Sequence, residues 1–220
     1  MQSSYPLNSI PISSRDLSFS GGGGAIKSNQ ITLNPANILS NENSLSFHTQ
    51  LLPLDISLLS IQGIYPKNNT IYFVSASNLN FGILKDGITN KTFSANDIMI
   101  STGFKRPLFN IISFGTSISY TLSKIKNSTA QSILFSGGIR TEIIKKIGLG
   151  VSVRNVGFQF DNFGEANEKL PLQIQFSTFI RPKYLPALIF SDIVKDENIS
   201  YFRFISGLSF YSNNKFNFRL

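Results

Sequence analysis

The run from Ile112 to Leu122 puts bulky or apolar side chains at alternate positions: Ile112, Phe114, Ile118, Tyr120 and Leu122, with Thr116 among them. The positions between are Ser113, Gly115, Ser117, Ser119 and Thr121. Successive side chains of a strand point to opposite faces, so this pattern predicts a β-strand with one apolar face and one wet face. Its 11 residues exceed the usual soluble strand and match what a tilted strand needs to cross a bilayer. A soluble sandwich turns the apolar face inward, whereas a membrane barrel turns it toward lipid.

The alternation recurs along the chain. Leu45, Phe47, Thr49 and Leu51 alternate with Ser46, His48 and Gln50, and a second strand runs from Ile56 toward Tyr65. Strands follow over Thr70 to Asn80 and Phe81 to Lys85, and Ile98, Ile100, Thr102 and Phe104 share one face of the next. Ile133, Phe135 and Ile139 oppose Ser132, Ser136, Gly138 and Arg140; Leu149, Val151 and Val153 oppose Gly150, Ser152 and Arg154. Leu172, Ile174 and Phe176 oppose Gln173, Gln175 and Ser177, and Tyr201 to Phe210 and Lys215 to Leu220 end the chain on strands. Turn signals separate them at Pro66-Lys67-Asn68-Asn69, Asp86-Gly87, Arg106-Pro107 and Lys145-Lys146, with a polar loop from Gln159 to Leu170. The sum is roughly ten to twelve strands with short connections, an antiparallel meander. In a barrel, Arg140 and Arg154 would face a watery lumen.

Residues 1–43 read differently from residues 44–220. They carry Gly21-Gly22-Gly23-Gly24 and Asn34-Pro35-Ala36, which predicts an irregular segment with one short helical turn near residues 35–39. Consecutive glycines permit close backbone approach or unusual dihedrals. A Walker phosphate loop needs Lys-Ser/Thr directly after its last Gly, but Ala25-Ile26-Lys27-Ser28 follows here, so tight packing is the better reading.

Composition sharpens the choice of environment. Charged residues make up 15%, against the usual ~25% of soluble proteins, and Ser, Asn, Gly and Thr supply the missing polarity. The net charge of +8 is scattered, with many Lys and Arg at predicted turns, which suits charged turns beside headgroups better than a nucleic-acid patch. Tyr65, Phe104, Tyr120, Tyr184 and Tyr201 lie near strand ends, as aromatic girdles would. No apolar run approaches a transmembrane helix, and Met1 to Pro11 shows neither the basic nor the apolar region of a signal peptide.

Candidate chemistry is sparse. Without cysteine there is neither a disulfide framework nor a Cys-ligated metal site. His48 is the single histidine, too little for a Ser-His-acid hydrolase or a zinc site. Asp161, Glu165 and Glu168 share a loop but lack the alternate spacing and glycine turn of a calcium loop. The expectation is a protein that is not an enzyme and carries no cofactor or metal.

The chain resembles the PorV/PorQ family of the type IX secretion system, outer-membrane barrels related to the FadL-type transporters of hydrophobic compounds. Leu17-Ser18-Phe19-Ser20-Gly21-Gly22-Gly23 is similar to the family's "aalGG" opening, and Asn34-Pro35-Ala36 to the "NPA" of its N-terminal plug. Asn43-Ser44-Leu45-Ser46-Phe47 resembles "n-LSF", and Phe93-Ser94-Ala95-Asn96-Asp97 resembles "FSAgDy". Gly148 to Gly157 resembles "G-v-KNiG", and Glu168 to Gln175 resembles "e-LPfdIqlG". The motifs stand in the family's order across nearly the whole chain, and the Leu-Pro-Leu-Gln-Ile-Gln stretch leans toward PorQ.

The resemblance implies an all-β, antiparallel up-and-down transmembrane barrel in the bacterial outer membrane. Residues 17–39 would fold into its mouth or lumen as a plug bearing Gly21, Gly22, Gly23, Asn34, Pro35 and Ala36. It also implies a scaffold that delivers or attaches secreted proteins, with secretion-system proteins, cargo and membrane lipid as partners and no nucleic acid. Two departures stand out. Family members continue past the point matching Leu220 into a "GYN" turn and more strands, so the chain reads as C-terminally truncated, and an exported member carries a signal peptide. The alternatives are a FadL-like channel for hydrophobic small molecules, which needs an apolar interior, and a soluble β-sandwich binding module.

Overall fold

Strands with one small, polar face stack side by side here into a single curtain. The structure, a computed structural model, describes residues 6–28, 31, 33–87, 90–109, 111–144, 146–161, 163, 170–197, 199–212 and 216–219. The strands are β1 (Ser44–Leu51), β2 (Ser57–Lys67), β3 (Thr70–Lys85), β4 (Thr92–Pro107), β5 (Ile112–Ile125) and β6 (Ser128–Ile144). They continue as β7 (Ile147–Asp161), β8 (Gln173–Ile180), β9 (Ala187–Asp196), β10 (Phe202–Ser212) and β11 (Phe216–Arg219). All eleven form one sheet in chain order, and every neighbouring pair is antiparallel. This is an all-β, up-and-down architecture. Among the described residues β1 and β11 stand at opposite edges of the sheet and do not pair, so the sheet is open.

Several strands outrun their sequence signals. Pro66 and Lys67 belong to β2, so the turn narrows to Asn68 and Asn69. Pro66 survives because it lies at the strand end, where a missing ladder donor costs little. The two stretches expected at 70–80 and 81–85 are one strand, β3, with a register shift between Asn80 and Ile83. Gly82 takes φ +70° there, which suits a bulge at glycine. The loop expected from Gln159 begins later, because β7 runs on to Asp161. Lys145, Glu165, Glu168, Asn198 and Lys215 lie outside the described residues.

The two faces differ in kind. On one, Leu45, Phe47, Val74, Ile100, Phe135 and Phe176 are exposed. On the other, Ser60, Ser77, Thr121, Ser132, Gln175 and Asp192 are buried. In β5, Ile118 and Tyr120 are 40% and 38% exposed, while Thr121 and Ser123 have no exposure at all. That inverts the ordinary soluble arrangement.

What buries the polar face is the N-terminal segment. Leu7 packs with Leu58, Leu79 and Met99. Phe19, Ala25 and Ile26 pack with Phe179, Leu188 and Phe190. Ile38 packs with Ile64, Ile71 and Phe73. The segment carries a 3₁₀ turn at Pro6–Asn8 and continues into a single α-helical turn, α1 (Ser14–Ser18), capped by the Ser13 hydroxyl, which accepts from the Asp16 amide. A 3₁₀ turn spans Pro35–Asn37, within the helical turn expected at 35–39.

Candidate functional site

The glycine and Asn-Pro-Ala motifs meet on the inner face. Gly21 and Gly23 adopt φ +79° and +76°, a region open to glycine at no steric cost. This turn aims successive amides at one carboxylate: Gly23 N donates to Asp192 Oδ2, and Gly24 N donates to the same oxygen at 3.3 Å. Gln175 Nε2 donates to that oxygen at 3.1 Å, and the Ser177 hydroxyl donates to the Asp192 carboxylate. Asp192 is fully buried.

The Asn-Pro-Ala turn closes the other half. Asn34 Oδ1 accepts from Ala36 N at 2.9 Å and so caps the 3₁₀ turn, while Pro35 supplies its preset φ. Asn34 Nδ2 and Asn37 Nδ2 donate to the Gly24 carbonyl at 3.0 and 2.8 Å, which joins the two motifs directly. Wall glycines make room for this junction. A Cβ at Gly115 would fall 2.6 Å from Ala36 N, one at Gly138 2.8 Å from Asn34 Cγ, and one at Gly150 2.6 Å from the Gly24 carbonyl oxygen. Those distances are below any real contact, so the close approach of the segment's backbone at Gly115 and Gly150, and of the Asn34 side chain at Gly138, depends on these glycines. Gly138→Val is expected to cost about 1–3 kcal/mol by overpacking, read as a lower unfolding midpoint together with faster proteolysis within residues 17–40.

Charged side chains fasten the rest of the segment. Arg140 was expected to face water in a barrel; instead it is 3% exposed and its Nε donates to the Ala25 carbonyl at 2.7 Å. The segment occupies the space that the lumen water would have filled. Glu142 gathers Arg140, Lys27 and Arg181 at 2.9, 3.0 and 3.1 Å, linking the segment to β6 and to the residue after β8. Asp97 accepts from the Leu7 amide and the Ser123 hydroxyl. Asn155, held at φ +61°, donates from Nδ2 to the Asn8 and Pro171 carbonyls at 3.1 and 3.0 Å.

Between segment and sheet a cavity of about 100 Å³ remains. Ser75, Ser101, Ser117, Ser119, Ser136 and Arg154 line it from the strands beside Phe73 and Met99, and Leu7, Ile10, Ile12 and Leu33 close it from the segment. At that size it holds water or another small guest and leaves no room for a lipid tail. His48 is buried on the inner face of β1, and among the described residues no group of three His, Asp or Glu could hold a metal. No helix of the described residues is long and apolar enough to cross a membrane, which says nothing of strands.

The motif glycines and Asn34 are visible in the sequence; their anchors are not. Asp192, Gln175, Gly115, Gly138 and Gly150 lie more than a hundred residues from the turn or on strands whose small residues read simply as a wet face. A buried acid alternating with Leu188, Phe190 and Val194 is the signal that points to Asp192, because an unpaired carboxylate on such a face needs donors. A scan against protein-family models and a search of curated proteins both find no match for this chain.

Proposed function

We propose that this chain is a non-enzymatic β-barrel scaffold of the bacterial outer membrane, of the PorV/PorQ type, that serves type IX secretion by delivering or attaching secreted proteins. The observation that carries the membrane part is the inverted burial: Ser, Thr, Gln and Asp are enclosed, while Leu, Ile, Val and Phe cover the outer face. A lipid solvent rewards that arrangement and water penalises it. The ordered motifs described above support the secretion part. An open sheet edge leaves unpaired amides and carbonyls that hydrocarbon does not tolerate. The reading therefore requires the edges of β1 and β11 to be paired in the membrane.

The interior favours a scaffold over a hydrophobic-compound channel. Its apolar patches are occupied by Leu7, Phe19, Ile26 and Ile38, and the remaining cavity, about 100 Å³ between wall serines and apolar side chains of the segment, is too small for a long-chain guest. Fractionation and deletion test the proposal together. The protein is expected in the outer-membrane fraction and released only by detergent. Its deletion is expected to trap secreted cargo while growth on long-chain fatty acids continues. Recovery in the soluble fraction, or lost fatty-acid growth with intact secretion, overturns it.

A further inference from the structure

The two ends of the sheet carry different charge. At one end lie the turns after β2, β4, β6 and β8; backbone hydrogen bonds join neighbours among them, from Glu142 N to the Ile111 carbonyl at 3.1 Å and from Arg181 N to the Lys146 carbonyl at 2.7 Å. Lys67, Arg106, Lys146 and Lys183 are exposed at this end, and Lys105 is half-buried. Among the described residues none of these five makes an ion pair. The carboxylates at this end are Glu42, just before β1, and Glu142, which Lys27, Arg140 and Arg181 already surround.

The opposite end is balanced. Lys126 faces Asp86 at 3.9 Å, Arg203 holds Asp196 at 2.8 Å, and Asp161 accepts from Thr129. Lys85, Lys91 and Lys124 share that end with Asp55 and Glu197. Among the described residues most of the positive excess therefore gathers at one end rather than around the molecule.

That end is also continuous with the apolar outer face. Tyr65, Tyr72, Leu108, Phe109 and Tyr184 are exposed beside the basic turns, and Tyr72, Phe104 and Phe114 form an aromatic row across β3, β4 and β5, with ring centroids 6.5 and 5.6 Å apart. Aromatic rings above an apolar band, topped by unpaired cations, match the depth profile of an interface: acyl chain, glycerol region, phosphate.

We propose that the basic end is a binding surface for the anionic headgroups of phospholipids, so that one end of the sheet selects acidic lipid and the other does not. This rests on the membrane reading above. Each basic residue beside an anionic leaflet contributes about 1 kcal/mol, roughly fivefold in local lipid enrichment, and the effect weakens with salt.

The chain has no cysteine, so a single fluorophore can be placed at either end. Tyr184→Cys marks the basic end and Tyr201→Cys the balanced end, both at exposed positions. The full chain is reconstituted into bilayers of brominated phosphatidylcholine or brominated phosphatidylglycerol. The expected result is severalfold stronger quenching by phosphatidylglycerol at the Tyr184 label, equal quenching by the two lipids at the Tyr201 label, and loss of the difference in high salt. Lys67→Glu, Arg106→Glu and Lys183→Glu together are expected to abolish the preference without moving the protein out of the bilayer. Equal quenching at both labels with the protein embedded overturns the headgroup proposal alone and leaves the basic end to an acidic protein. An absence of quenching by either lipid at either label, with the protein in the aqueous phase, overturns both this proposal and the membrane reading.

Discussion

Asp192→Ala is expected to lower the unfolding free energy by about 3 kcal/mol and to free the N-terminal segment from the sheet. The substitution strands buried donors. Gly23 N, Gly24 N, Gln175 Nε2 and the Ser177 hydroxyl all point at this carboxylate, and each donor left without an acceptor in a dry site costs about 1–3 kcal/mol. Relaxation of the glycine turn recovers part of that sum, because glycine amides can swing toward water once the anchor is gone. Asp192→Asn retains one oxygen acceptor and is expected to lose less than half as much. Ser191→Ala, on the exposed face of the same strand, should stay within about 0.5 kcal/mol. Urea unfolding in detergent micelles measures the differences, and limited proteolysis within residues 17–40 reports segment release. Unchanged protection of those residues in the alanine variant would show that the apolar clusters hold the segment unaided.

The strands that the sequence shows best are those with a small, polar inner face. β5 is the clearest, because Ser113, Ser117 and Ser119 leave no apolar residue to blur the period of two. β9 escapes the same reading for a physical reason. Leu188, Phe190 and Val194 point inward and Ile189 and Ile193 outward, so both faces are apolar and the alternation vanishes. The inward residues are apolar because Phe19 and Ile26 of the segment rest on two of them, and that contact is invisible to a local window.

Register slips hide in the same way. Asn155 sits at φ +61° in β7, and after it the outward positions change parity: Leu149 and Val151 before, Val156, Phe158 and Phe160 after. A strict alternation carried through from Ile147 assigns those last residues to the wrong face. The short helical turn at Ser14–Ser18 is a single turn set by the Ser13 cap, too brief for any periodic signal. The motifs Gly21 to Gly24 and Asn34 to Ala36 were legible as motifs, yet their mutual hydrogen bonds through the Gly24 carbonyl come from a fold in which β5, β6 and β7 bring Gly115, Gly138 and Gly150 beneath them.

Ile118→Arg separates a lipid solvent from water more sharply than any change on the inner face. Ile118 lies in the middle of β5, opposite Phe135 on β6 and Thr102 on β4, and its side chain is 40% exposed on the outer face. Were that face in water, an arginine there would be a surface substitution, worth about 0.5 kcal/mol or less, and would gain hydration. In a bilayer the same guanidinium sits near the midplane, where the cost on a barrel's outer face is about 2–4 kcal/mol. The expected result is a loss of about 3 kcal/mol on refolding into vesicles, with a much smaller loss in micelles, whose detergent can rearrange around the charge. Ile143→Arg, at the end of β6 on the same outer face as Phe135 and Ile139 and likewise exposed, should cost about 0–1 kcal/mol, since depth rather than chemistry sets the penalty. The gradient between the two positions is the diagnostic, because a simple packing loss at Ile118 would appear equally in vesicles and micelles. Equal, small effects at both positions in both environments would mean that the outer face never meets hydrocarbon.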